Sequence, residues 1–268
     1  MLKRNKPFSN EKSPVLYLVG TPIGNLKDIS QRAVEVLKSV DLIASEDTRN
    51  TSFLLKNLGI ENKKLVSCYS QKEKEEGKKI INAMLTEGVS VAFVSDAGNP
   101  GISDPGAILC SMAIEENIPV TAVLGPSAFV QALITSGFDT SDFSFYGFLP
   151  VKENVRKDFL KNLKERKETL IFYESPHRID KTLSSMFEAF GAERRVVISR
   201  ELTKIHEEYL RGTLGDMIDF PEDAKRGEFV IIVEGAKNIE SDTDDDKIIE
   251  YIKENQIQYF FISGDLYE

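Results

Sequence analysis

Histidine and cysteine are scarce: the chain has two of each in 268 residues. Cys68 and Cys110 lie far apart without metal-type spacing and read as reduced, buried thiols. His177 and His206 are too few for a histidine-based metal site, and no metal is expected. No apolar run approaches the roughly 18 residues of a membrane-spanning helix. The opening MLKRNKPFSNEKSP is basic but has no apolar core, so it does not read as a secretory signal, and a cytoplasmic location is expected. Phosphate and nucleophile signatures are missing as well. There is no G-x-x-x-x-G-K-[ST], no G-x-G-x-x-G opening a helix after the first strand, and no G-x-S-x-G elbow. An ordinary nucleotide-binding loop and a hydrolase elbow are therefore unsupported, and no internal repeat is visible.

What is present describes a globular chain of one large or two small domains, 41% hydrophobic and 29% charged. Its net charge of −9 is unevenly spread, because residues 237–268 hold three lysines against nine acids. Lys152–Lys167 holds seven bases against three acids and reads as a helix, either a solvated face or a local phosphate-neutralising patch.

Apolar runs at Val15–Val19, Leu42–Ser45, Leu65–Cys68, Val89–Val94 and Val120–Leu124 alternate with helical patterns. That rhythm predicts a mostly parallel sheet covered by helices. Asp28 or Ser30 is a candidate cap for the first helix. The polar break GFDTSDF at 137–143 reads as a linker to a second α/β block, with strands expected at Phe143–Gly147, Thr169–Tyr173, Arg195–Ile198, Glu207–Arg211 and Phe229–Val233. The expected division is an arm at 1–14, domains at 15–137 and 138–236, and an acidic tail with a short helix at 237–268.

The chemistry is expected where strands end. Val94–Gly106 reads VSDAGNPGISDPG, a long rigid loop between strand and helix. Gly20–Asn25, Glu46–Arg49, Gly125–Ser127, Glu174–Arg178 and Glu201–Lys204 follow other strands. Parallel strands would gather these clusters on one rim of each domain and make an interdomain cleft the default site. Exposed main-chain amides, carbonyls and carboxylates there suit a zwitterionic nucleoside ligand, although these groups alone do not name it.

VGTPIGNL, EDTRNT, VSDAGNPGISDPG, LGPSA, FYGFLP, FYESPHR and SRELTK, in this order, resemble the tetrapyrrole-methylase superfamily, and most closely its ribosomal-RNA-methylating branch. The resemblance spans roughly Val15 to Gly235. It implies two α/β domains of the class III methyltransferase type, S-adenosylmethionine in the interdomain cleft, and a homodimer. It further implies methylation of a cytidine 2′-hydroxyl in 16S rRNA of the small ribosomal subunit. Similarity places cofactor contacts on Pro22, Asp96, Ala97, Gly98, Ile102, Ser103 and Ser127, and also on Tyr173 and Glu174. A ribose hydroxyl is a poor nucleophile, so Glu46 and Asp47 are candidate bases and Arg49 and Lys204 candidate electrostatic partners. Each of these four could equally be a structural ion pair at a strand end. Lys157, Lys161 and Arg178 are candidate RNA contacts, while His177 reads as a helix-entry residue or an RNA contact.

Two stretches depart from the family pattern. Where the RNA branch often carries histidine and asparagine after the third strand, this chain reads SCYSQKEKEEG, so Gln71 and Lys72 would have to serve differently. The small, somewhat basic helical module that commonly ends the family is expected to be shortened or lost. Two rivals stand beside the RNA reading: a methylase of a corrinoid or tetrapyrrole carbon, and a silent module that binds cofactor without turnover.

Overall fold

All ten strands anticipated from the apolar runs form, in two separate five-stranded sheets. The computed structural model describes residues 13–237. The expectations for the arm up to residue 12, and for the acidic connector, helix and aromatic end beyond 237, lie outside the described residues.

The first sheet contains β1 (Leu16–Val19), β2 (Leu42–Ser45), β3 (Lys64–Ser67), β4 (Val91–Val94) and β5 (Val120–Val123). All pairs are parallel, in the order β3-β2-β4-β1-β5. β2 and β4 are buried along their whole length, which is why their sequences run apolar without alternation. Helices α1 (Gln31–Ser39) and α2 (Thr48–Asn57) cover one face, where Leu37 and Leu55 join the cluster around Ile43 and Ala92. Helices α3 (Glu73–Glu87) and α4 (Ala107–Glu115) cover the other, where Ile80, Met84 and Leu109 join Leu16 and Phe93. Ser30 is the cap of α1, its Oγ accepting from the Ala33 N–H at 3.1 Å, whereas Asp28 lies in a short 3-10 turn.

Neighbouring strands β1 and β4 send the chain to opposite sides, β1 toward β2 and β4 toward β5. β2 lies beyond β4 and β5 lies beyond β1, so the two outgoing loops cross at the carboxyl rim and border a crevice there.

The second sheet is mixed, so the parallel arrangement on which a shared rim was made conditional holds fully only in the first. It contains β6 (Phe143–Phe148), β7 (Thr169–Glu174), β8 (Arg195–Arg200), β9 (Glu208–Thr213) and β10 (Phe229–Val233), in the order β6-β7-β10-β8-β9. Only β6 and β7 pair in parallel; β10 runs antiparallel to both β7 and β8, and β9 antiparallel to β8. The 201–207 connection is too short for a parallel crossover, so β9 must fold back. β6, β7 and β8 nevertheless point the same way, and their carboxyl ends share one rim.

Helices α6 (Glu153–Lys161) and α7 (Ile179–Phe190) pack on one face of this sheet through Leu160, Leu183 and Met186. α7 is anticipated in the sequence reading only through His177 as a helix-entry residue, with no range given. α6 stops at Lys161, so the basic run to Lys167 does not lie on one helix. α5 (Ala128–Ser136) follows β5 of the first sheet yet packs on the second, with Ala132 and Leu133 against Ile171, Val230 and Ile232. Among the described residues, no helix is long and apolar enough to cross a membrane.

Candidate functional site

At the crevice the loops after β1 and β4 are joined backbone to backbone. The Thr21 N–H donates to the Gly98 carbonyl at 2.8 Å, and the Gly98 N–H returns a bond to the Thr21 carbonyl at 3.2 Å. Gly98 holds φ at +77°, which favours glycine at this crossing. Asn99 ties in the loop after β5: its Oδ1 accepts from the Gly125 N–H at 2.9 Å, and its Nδ2 donates to the Pro126 carbonyl at 3.1 Å. Gly20 and Gly125 pack so closely that a Cβ on Gly20 would lie 2.4 Å from the Gly125 nitrogen. The far end of the β4 loop is pinned by buried Glu73, whose Oε1 accepts from the Gly106 and Leu109 N–H groups at 2.9 and 3.0 Å. Sequence reasoning missed Asn99 and Glu73; an amide inside a glycine-proline loop was the available signal for Asn99.

The β4 loop reaches the second sheet. A Cβ on Gly147 of β6 would lie 2.9 Å from the Ser103 Oγ. Tyr173 of β7 faces the Phe129 backbone and Asp104, and burial together with the Asp104 charge pushes its phenol up to about 12. Beside this junction a cleft of about 1080 Å³ is lined by residues including Asn99, Ile102, Ser127, Phe129, Thr203 and Lys204. The Oγ of Thr203 is buried without a hydrogen-bond partner.

Carboxylates crowd the rim of the first sheet. Burial, then the charges of Glu46 and Asp96, push Asp104 up to about 6. Glu46, at the end of β2, is raised by burial and by Asp96, an effect the Asp96 backbone N–H partly offsets. Asp47 differs from Glu46 although it is the next residue. It caps α2 through the Arg49 N–H at 2.9 Å and pairs with the Arg49 guanidinium at 2.6 Å, and these contacts hold it at about 2. A second pocket, about 490 Å³, lies between Pro22 and Asp96 on one side and α2 on the other.

The structure therefore brings Pro22, Asp96, Ala97, Gly98, Ile102, Ser103 and Ser127 together on three joined loops, with Tyr173 at their edge. It does not bring Glu174 to them. That side chain is fully buried and accepts from Thr182 Oγ1 at 2.6 Å, the Ser175 N–H at 2.7 Å and Arg178 Nε at 2.8 Å. Arg178 is committed to Glu174 and to the Leu149 carbonyl. Lys204 meets Glu201 and Glu228, each at 3.0 Å; burial works against its charge, and the two carboxylates more than restore it. Lys157 and Lys161 lie on α6, on the face of the second sheet opposite α5. Lys157 pairs with Glu153 at 2.9 Å and Glu188 at 2.8 Å. Cys68 is buried, its thiol raised to about 12 by burial, while Cys110 is half-buried; neither forms a disulfide.

Two α/β sheets meeting over these loops form the architecture of the tetrapyrrole (corrin/porphyrin) methylases, whose sequence profile matches residues 15–218, and the chain belongs to that family. Within it, this chain is similar to proteins named ribosomal RNA small subunit methyltransferase I. The Halalkalibacterium halodurans relative is 49% identical over 82% of this chain and 75% of its own length. That of Bacillus subtilis is 45% identical over 91% and 84%, and that of Vibrio cholerae 43% identical over 87% and 81%.

The residues present fit S-adenosylmethionine. Three mutually repelling carboxylates attract a cationic sulfonium. α5 begins at Ser127 without a side-chain cap, which leaves first-turn N–H groups for a carboxylate. The larger cleft has the volume such a molecule needs.

Proposed function

We propose that this chain is an S-adenosylmethionine-dependent methyltransferase that methylates the ribose 2′-hydroxyl of a cytidine in 16S rRNA of the small ribosomal subunit. The observation that carries the chemistry is Glu46, a carboxylate with a raised pKa set beside the crossing of the β1 and β4 loops. The ribosomal substrate rests on the name borne by the relatives at 43–49% identity.

When bound, the cofactor supplies a methyl group activated on a sulfonium. Pro22, Asp96, Ala97, Gly98, Ile102, Ser103 and Ser127 would hold it, and the Asn99 staple keeps their loops in one geometry. Glu46 takes the proton of the attacking hydroxyl; its raised pKa suits it to general-base work near neutral pH better than Asp47. Asp47 instead fixes the start of α2 and orients Arg49. Alignment of hydroxyl and methyl donor on a rigid rim supplies much of the remaining rate enhancement.

We further propose a cytoplasmic homodimer. The exposed apolar side chains Leu124, Val130 and Ile134, beside edge strand β5 and on the open side of the larger cleft, support a copy-to-copy face that would border the cofactor. The division into domains at 15–137 and 138–236 stays a proposal, with α5 as the helix that couples them.

The test is transfer of a labelled methyl group to unmodified small ribosomal subunits, with naked 16S rRNA alongside. One labelled 2′-O-methylcytidine is the expected product. Cofactor binding without transfer to either RNA would overturn the assignment and favour a corrinoid substrate or a silent module.

A further inference from the structure

The pocket between α2 and the β1 loop shares Pro22 and Asp96 with the donor loops, while its α2 wall has no role in the chemistry above. Its wall is one stripe of α2, Asn50, Phe53, Leu54 and Asn57, at helical spacing. Phe53 is 71% exposed, while Leu55 on another face of the helix already fills the core and buried Thr51 floors the pocket. The ring therefore adds nothing to the hydrophobic core that would account for its type. Leu26, also exposed, lies across the pocket.

Polarity agrees with a nucleobase occupant: the pocket's lining carries one charged side chain, Asp96, with Lys56 on the same helix outside the lining and Arg49 paired with Asp47. The Asn50 Nδ2 donates to Asp96 at 2.9 Å, tying the pocket to the donor loop. The Asn57 Nδ2 donates to the Phe53 carbonyl at 2.8 Å. Both amides commit an N–H inside the protein and keep their oxygens as acceptors, which suits the exocyclic amino group of a base. A volume of about 490 Å³ admits a nucleoside.

We infer that this pocket seats one unstacked nucleobase of the RNA substrate, stacked on Phe53 and met at its amino edge by Asn50 or Asn57. The inference rests on the RNA-methyltransferase reading and adds to it a substrate-binding site. Single-stranded RNA is held in this way by stacking its bases on aromatic side chains.

The experiment measures methyl transfer to unmethylated small ribosomal subunits by wild type, Phe53→Ala and Phe53→Tyr, with S-adenosylmethionine affinity by calorimetry and mass by light scattering. Phe53→Ala should lose about tenfold in kcat/KM for subunits, mostly in KM, with cofactor affinity unchanged. Phe53→Tyr, which keeps the ring, should stay within about twofold of wild type. An unchanged kcat/KM in Phe53→Ala overturns the inference. So does a parallel loss of cofactor affinity, which would assign the pocket to the cofactor, or a loss of self-association, which would assign the ring to a second copy. Wild type that binds cofactor but transfers nothing to subunits sinks the functional reading itself, and this inference with it.

Discussion

The rims of the two sheets treat their charged residues in opposite ways. On the first, burial and the Asp96 charge raise the proton affinity of Glu46 and of Asp104, and the Glu46 charge adds to the effect on Asp104. On the second, each carboxylate is matched: Glu174 with Arg178, Glu201 and Glu228 with Lys204, Glu208 with Arg200. A group held away from its preferred charge state is available for chemistry, whereas a satisfied pair is structure. The same residue types at strand ends thus mean different things in the two halves.

The largest test of that contrast is Glu174→Ala. Removing a fully buried partner strands the Arg178 guanidinium, itself only 20% exposed. A loss of about 3–5 kcal/mol in urea unfolding is expected. A loss under about 1 kcal/mol would mean that the second rim is no more structural than a surface pair.

Glu46→Gln addresses the other rim. It should lower kcat by about a hundredfold while leaving S-adenosylmethionine affinity and the unfolding midpoint near wild type. It should also flatten the acid limb of the pH–rate profile, because that limb reports deprotonation of the base. An unaltered acid limb would remove Glu46 from the proton transfer.

A smaller effect is expected from Asp104→Asn, on stability rather than turnover. The folded chain holds the Asp104 proton to about pH 6, while an unfolded carboxyl releases it near its ordinary value of 3.8. Between these values the folded state binds more protons, so wild-type stability falls as pH rises from about 4 to about 6 and then levels. Asp104→Asn should therefore unfold at higher urea than wild type at pH 7.5 and at nearly equal urea at pH 4. Equal midpoints at both pH values would place Asp104 outside the repelling cluster.

Much of this was legible in the chain. Strands β2 and β4 announce themselves because both faces are buried, and the loop at 94–106 because its glycines and prolines exclude helix. Which sheet α5 covers was not legible, since Ala132 and Leu133 are equally good against either. The direction of β10 was hidden as well, because a strand buried on both faces reads the same in either orientation. Charge pairing was the least readable feature. Arg178 and Arg49 each lie within four residues of an acid, yet one is a half-buried strut and the other 88% exposed at the open rim. That difference comes from long-range packing. Asp104 was passed over inside its own motif, because the carboxylates that perturb it come from β2 and from the far end of the loop.

The smallest predicted effect separates Lys157 from Lys161, adjacent in role in the sequence reading and different in the fold. Lys157 bridges Glu153 on its own helix and Glu188 on α7, and both contacts raise its pKa. Lys161 sits at the helix end, exposed, with Asp158 no nearer than 4.0 Å. A lysine already held by two carboxylates releases no counterion on meeting phosphate, whereas a lysine with a loose partner does. Binding of 16S rRNA across a potassium chloride series should then show Lys161→Gln reducing the salt slope by about one and Lys157→Gln leaving it unchanged. Lys157→Gln should instead lower the urea midpoint slightly by unlinking α6 from α7. Equal slope changes in both variants would mean that pairing does not decide which bases on this face are open to RNA.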